Sequence, residues 1–159
     1  MDKVIRDKVL EISEYLPKDK SGNPIVPVDL NKILYKFGLK AYNTRFSKPE
    51  ISGALDRKQK RIFLDSTDPY TKKVFTLAHE LGHYFLHDDQ AYDILYREKR
   101  LHARPELEKE ADEFAAELLM PEATIRLYWP IAESIQQLAE IFSVSYSAME
   151  YRLRNLGFI

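Results

Sequence analysis

An α+β domain, mostly helical with one small three-stranded antiparallel sheet, is what this chain of 159 residues predicts. Three observations carry that reading. Apolar residues recur at helical spacing near both ends and through most of the second half. The stretch from 39 to 65 breaks instead into short β-like segments separated by turn chemistry. The length suits one hydrophobic core rather than two, so residues 1–159 read as a single domain.

Taken in order, Ile5, Val9, Ile12 and Leu16 place a helix over residues 2–16, with charged residues between them. Pro17 to Pro27 ends it, with Ser21-Gly22-Asn23-Pro24 as a turn. Leu30, Ile33, Leu34 and Phe37 predict a second helix over 28–37, stopped by Gly38. Strands are expected at 39–44, 51–55 and 61–64, the last two joined by the charged turn 56–60. Ser52-Gly53-Ala54 weakens the middle strand but lets another element approach its backbone. Helices follow over 71–86 and 107–120, the latter stopped by Pro121, and then over 135–142 and 145–156. Residues 88–104 are polar and contain tyrosine; a lid over a cleft is the expectation there.

Composition removes several classes of function. Hydrophobic residues make up 45% and charged residues 31%, a balance that supports a packed core. Lysine and arginine number 24 against 25 acidic residues, so bulk charge does not draw this chain to nucleic acid or to anionic membrane. No apolar run approaches the roughly 20 residues of a membrane span, and the first eight residues are too charged for a signal peptide. With no cysteine there is no disulfide, thiolate ligand or cysteine nucleophile. A cytoplasmic setting is expected.

The chemistry is concentrated in His79-Glu80-Leu81-Gly82-His83, on the helix expected over 71–86. Residues four apart share one helix face, so the two imidazoles can converge on a single metal ion. Glu80 then reaches a water at the open coordination position and accepts its proton, the arrangement of a zinc hydrolase. The opposite face of the helix is apolar (Val74, Phe75, Ala78, Leu81, Phe85), which fits a helix laid on a core.

A catalytic zinc takes three protein ligands and leaves one position for water. His87 lies about 12 Å of helical rise from His79, too far to share an ion held between the first pair. It reads as a helix-end or cleft residue. His102 falls in the unassigned stretch and stays open. The helix from Leu107 offers carboxylates instead: Glu108, Ala111, Asp112, Ala115 and Leu119 share one face, whose small residues allow close helix packing. Face geometry favours Glu108 over Glu110 as third ligand, with Asp112 accepting the spare N–H of a ligating histidine. For the oxyanion of a tetrahedral intermediate, Tyr84, His87, Tyr128 and Tyr151 are the candidate donors or cleft residues.

Phe75-Thr76-Leu77-Ala78 before the histidine motif, and Glu108 through Pro121 with its Phe-Ala-Ala-Glu-Leu-Leu-Met-Pro ending, resemble the ImmA/IrrE family of metallo-endopeptidases. Weaker likeness extends upstream through Pro27–Leu30, Gly38-Leu39 and Ser52–Leu55, and downstream through Leu138-Ala139, Phe142–Ser145, Ala148-Met149 and Arg152-Leu153. The resemblance implies a zincin-like fold with the sheet packed on the metal-binding helix. It implies one zinc per chain held by His79, His83 and Glu108, with Glu80 as base and Asp112 in support. Many relatives carry asparagine where this chain has Asp112, and either residue accepts the histidine proton. It further implies a protein substrate, commonly a helix-turn-helix transcriptional repressor of a mobile genetic element or stress regulon.

Residues 131–159 also look like a helix-turn-helix, with a turn at Ser143-Val144-Ser145 and Ser145 capping the second helix. They hold two arginines and three glutamates, so the basic stripe that phosphate contacts need is missing. Direct DNA binding is therefore disfavoured. A DNA-binding or partner-binding regulator without proteolysis is the alternative to an endopeptidase.

Overall fold

The computed structural model describes residues 1–87 and 105–159. The expected lid at 88–104, with His102, lies outside them. Among the described residues there are seven helices: α1 Lys3–Ser13, α2 Asn31–Phe37, α3 Tyr70–Leu86, α4 Pro105–Leu119, α5 Glu122–Tyr128, α6 Ile135–Phe142 and α7 Tyr146–Leu156. Between α2 and α3 run the strands β1 Lys40–Thr44, β2 Gly53–Asp56 and β3 Arg61–Asp65.

Local chemistry sets the ends of these elements. The Asp2 side chain accepts the Val4 N–H and starts α1, which buries Ile5, Val9 and Ile12. Gly38, at φ 68°, ends α2 in the left-handed conformation that a helix C-terminus favours. Ser134 and Ser145 cap α6 and α7 by accepting the N–H groups of Gln137 and Ala148. The α6–α7 turn falls at 143–145, where the sequence puts it. Helix α5 is additional: Pro121 ends the preceding helix as the sequence predicts, but it also caps a further seven-residue helix that the sequence does not predict.

The sheet departs from expectation in one respect. Its order is β1-β3-β2, with β2 antiparallel to β3 but β1 parallel to β3, so it is mixed rather than antiparallel. The hairpin pairs Gly53 with Leu64 and Leu55 with Ile62, while β1 sets Tyr42 beside Phe63. A parallel pair needs a crossover of about a dozen residues or more, and residues 45–60, which include β2, supply it. Strand β3 is thereby central, β2 is an edge strand, and both pack on α3.

Among the described residues, helices α3 and α4 share the most extensive interface. It contains Ala78, Leu81, Phe114, Ala115 and Leu118, all fully buried. Each large apolar side chain buried this way contributes about 1.5–3 kcal/mol. A Cβ at Gly82 would stand 3.1 Å from the Ala111 Cα and carbonyl oxygen, so the two helices touch backbone to backbone at that point. That contact brings the carboxylates of α4 to the histidines of α3.

Candidate metal centre

Helix α3 presents His79 and His83 on one face, their rings edge to face with centroids 4.7 Å apart. Their Nε2 atoms lie 3.1 Å from each other. Glu108, on the first turn of α4, places one carboxylate oxygen 3.0 Å from the His79 Nε2 and the other 3.3 Å from the His83 Nε2. Two ring nitrogens and a carboxylate thus face one point, and these three residues offer donor atoms within 4.8 Å of one another. Ligands about 2.1 Å from a tetrahedral zinc stand roughly 3.4 Å apart. The observed separations of 3.0–3.3 Å fit that set, and so does its mix of imidazole and carboxylate.

The groups around these donors orient them. The outer Nδ1 of His79 lies 2.7 Å from a carboxylate oxygen of Asp112, one turn beyond Glu108 on the same face of α4. Burial alone pushes the His79 pKa down, but hydrogen bonds to Asp112 and Glu108 and the charges of Glu80 and Asp112 outweigh it. The net result lifts it from 6.5 to about 9. The same carboxylate charges favour a cation at that point.

Glu80 is 1% exposed and lies beneath the sheet edge. A Cβ at Gly53 would come within 3.2 Å of the Glu80 Oε1 and 2.4 Å of the Thr76 Cγ2. The small residue of β2 therefore admits the metal helix itself. An absent side chain at 53 keeps the Glu80 carboxylate in its place.

The remaining candidates separate. Tyr151 lines a cavity of about 830 Å³ that also contains Glu108, Asp112 and Phe75. Tyr84 lies under the Arg57 guanidinium, 5.2 Å from ring centroid to Cζ, and Tyr128 sits edge-on against Phe142. His87 was offered by the sequence for the cleft. It is buried behind His83, with its Nδ1 2.9 Å from the His83 Nδ1 and its Nε2 2.8 Å from Glu110. Glu110, disfavoured as a third ligand by face geometry, reaches this third histidine instead. Arg57 was not singled out from sequence: it donates to the carbonyl oxygens of His83, Tyr84 and His87 and so holds the end of the metal helix. In a run of five charged and polar turn residues nothing marks one arginine as different.

A helix-on-sheet domain with two imidazoles and a carboxylate facing one point is the class that this centre and its setting define. The chain belongs to the peptidase family described as the IrrE N-terminal-like domain, whose model matches residues 35–154. It is similar to the Metallopeptidase ImmA of Bacillus subtilis (strain 168), 34% identical over 86 residues, which are 52% of this chain and 50% of that protein. It is also similar to the Uncharacterized immunity region protein 2 of Bacillus phage phi105, 34% identical over 73 residues, 46% of each chain. The chain spans about half the length of these curated relatives. Its fold matches a solved Mycobacterium tuberculosis transcriptional regulator with a TM-score of 0.63 at 14% identity, covering 96% of this chain and 47% of that one. At that identity the likeness concerns the fold alone.

Proposed function

We propose that this chain is a zinc-dependent endopeptidase that hydrolyses a peptide bond in a protein partner, a helix-turn-helix transcriptional repressor. The observation that carries the reading is the convergence of His79, His83 and Glu108 on one point beside a buried Glu80. Zinc, when bound by these three residues, supplies a Lewis acid that polarises the scissile carbonyl and acidifies water. Glu80 accepts a proton from the attacking water and passes it to the leaving amine. Asp112 holds the His79 ring by its Nδ1–H, so that Nε2 presents its lone pair inward. The outer edge of β2 receives the substrate backbone as an added strand, and the cavity bounded by Phe75, Ala116, Tyr151 and Leu156 takes a flanking side chain. Tyr151, alongside Glu108 in that cavity, is the candidate donor to the oxyanion.

The repressor as partner is supported by the names of the relatives: a bacterial metallopeptidase and a protein of a phage immunity region. Such a substrate places the protein in the cytoplasm, and no helix among the described residues is long and apolar enough to cross a membrane. Incubation with repressors encoded beside it, followed by mass spectrometry of the products, tests the reading. A discrete fragment made by the wild type and lost with Glu80→Gln is expected. Intact repressor with zinc-loaded wild type would contradict it.

A further inference from the structure

The two imidazoles of the centre are supported differently from behind. The outer nitrogen of His79 meets a carboxylate, that of Asp112, directly. The outer nitrogen of His83 meets another imidazole: its Nδ1 lies 2.9 Å from the Nδ1 of His87, and the His87 Nε2 lies 2.8 Å from a Glu110 carboxylate oxygen. We infer that His87 and Glu110 are positioning residues for the metal ligand His83, acting as a relay that fixes the tautomer and direction of its ring. The inference rests on the zinc reading above and deepens it.

Protonation along this line is determined step by step. For His83 to present a lone pair at Nε2, towards Glu108 and His79, its proton must sit on Nδ1. That N–H then donates to His87, whose Nδ1 must carry a lone pair. The His87 proton is consequently on Nε2, and it donates to the Glu110 carboxylate. Each link is possible in one direction only, and an anion closes the series. Because His83 is fully buried, no bulk water replaces the acceptor if His87 is removed.

The main chain is arranged to place His87 there. Helix α3 ends at Leu86, and His87 turns out of it at φ −124° and ψ 95°, its N–H still donating to the His83 carbonyl oxygen. This turn brings its ring back to 5.1 Å from the His83 ring centroid. Arg57 donates to the carbonyl oxygens of both His83 and His87, which ties the two residues to one guanidinium. Glu110 follows Glu108 by two residues on α4, so one turn of that helix serves the metal point and the far end of the relay.

The test measures zinc affinity by competition with a chromophoric chelator, and the visible spectrum of the Co²⁺-substituted full chain. His87→Phe should weaken zinc binding about 10–100-fold and alter the Co²⁺ bands. His87→Gln, whose amide accepts at oxygen and donates at nitrogen, should recover most of the loss. Glu110→Ala, at a half-exposed side chain, should weaken binding several-fold and carries the test if His87→Phe does not fold. Wild-type affinity and an unchanged Co²⁺ spectrum in His87→Phe, or in Glu110→Ala, would overturn the relay while leaving the metal centre standing. A wild-type chain that binds no zinc would overturn the metal reading as well.

Discussion

His79 carries opposing influences whose balance has a measurable sign. Its pKa in the metal-free protein, about 9, exceeds the ordinary 6.5 because Asp112, Glu108 and Glu80 outweigh the effect of burial. A histidine whose pKa rises on folding favours the folded state fully below pH 6.5 and loses that contribution as pH climbs through 9. The metal-free protein is expected to melt at progressively lower temperature between pH 6.5 and 9, as thermal unfolding in chelator would record. Asp112→Ala should flatten the slope; a rising melting temperature over that window would contradict the assignment. Metal and proton compete for the same ring, so zinc binding at pH 7 should release a proton and weaken as pH falls. Glu80→Gln is a different kind of change: zinc content should persist while cleavage falls about 10²–10⁴-fold. At this scale the sequence was legible where spacing alone decides. The i, i+4 histidines and the shared face of Glu108 and Asp112 follow from helical periodicity. The relay through His87 and Glu110 does not, because it depends on how the chain turns where α3 ends.

Two glycines decide how closely the elements approach. Gly53→Ala would drive a methyl group to 2.4 Å from the Thr76 Cγ2 and crowd Glu80 at 3.2 Å. Strand β2 and α3 must then move apart, at a cost of about 1–3 kcal/mol. Activity should fall with stability, and Thr76→Ala in the same chain should restore part of the stability by removing the contacted methyl. An additive pair of effects in chemical denaturation would contradict this contact. Gly82→Leu should do more damage, since the obstacle there is the backbone of Ala111. The small residues that make both approaches possible, Gly53 on β2 and Ala111 and Ala115 on α4, were readable in the sequence as permission for close packing. The direction of β1 was not. Its partner β3 lies beyond β2 in the chain, and local turn chemistry specifies only the β2–β3 hairpin. Helix α5 was missed for a similar reason: seven residues give periodicity too little length, although Glu122 in its first turn suits a helix N-terminus.

Across the whole molecule, a buried charge adds to the apolar packing that joins the C-terminal helices to the rest of the fold. Arg152 of α7, 7% exposed in its side chain, pairs with Glu117 of α4 and donates from Nε to the Met120 carbonyl oxygen. The other arginine of the segment, Arg154, pairs with Glu150 on its own helix. Arg152→Ala leaves the partly buried Glu117 carboxylate without its cation and should cost about 3 kcal/mol, seen as a lower denaturation midpoint. Arg154→Ala, at the surface, should change it little. Tyr151 and Leu156 of the same helix wall the cavity beside Glu108, so the segment that reads as a helix-turn-helix contributes to the metal face. The measurement that bears most directly on the whole account is the zinc content of the purified full chain after dialysis. One zinc per chain in the wild type, lost in both His79→Ala and Glu108→Ala while each variant still folds, is the expected result. A folded wild type that retains no zinc when zinc is supplied, or a Glu108→Ala chain that holds it as tightly, would contradict it.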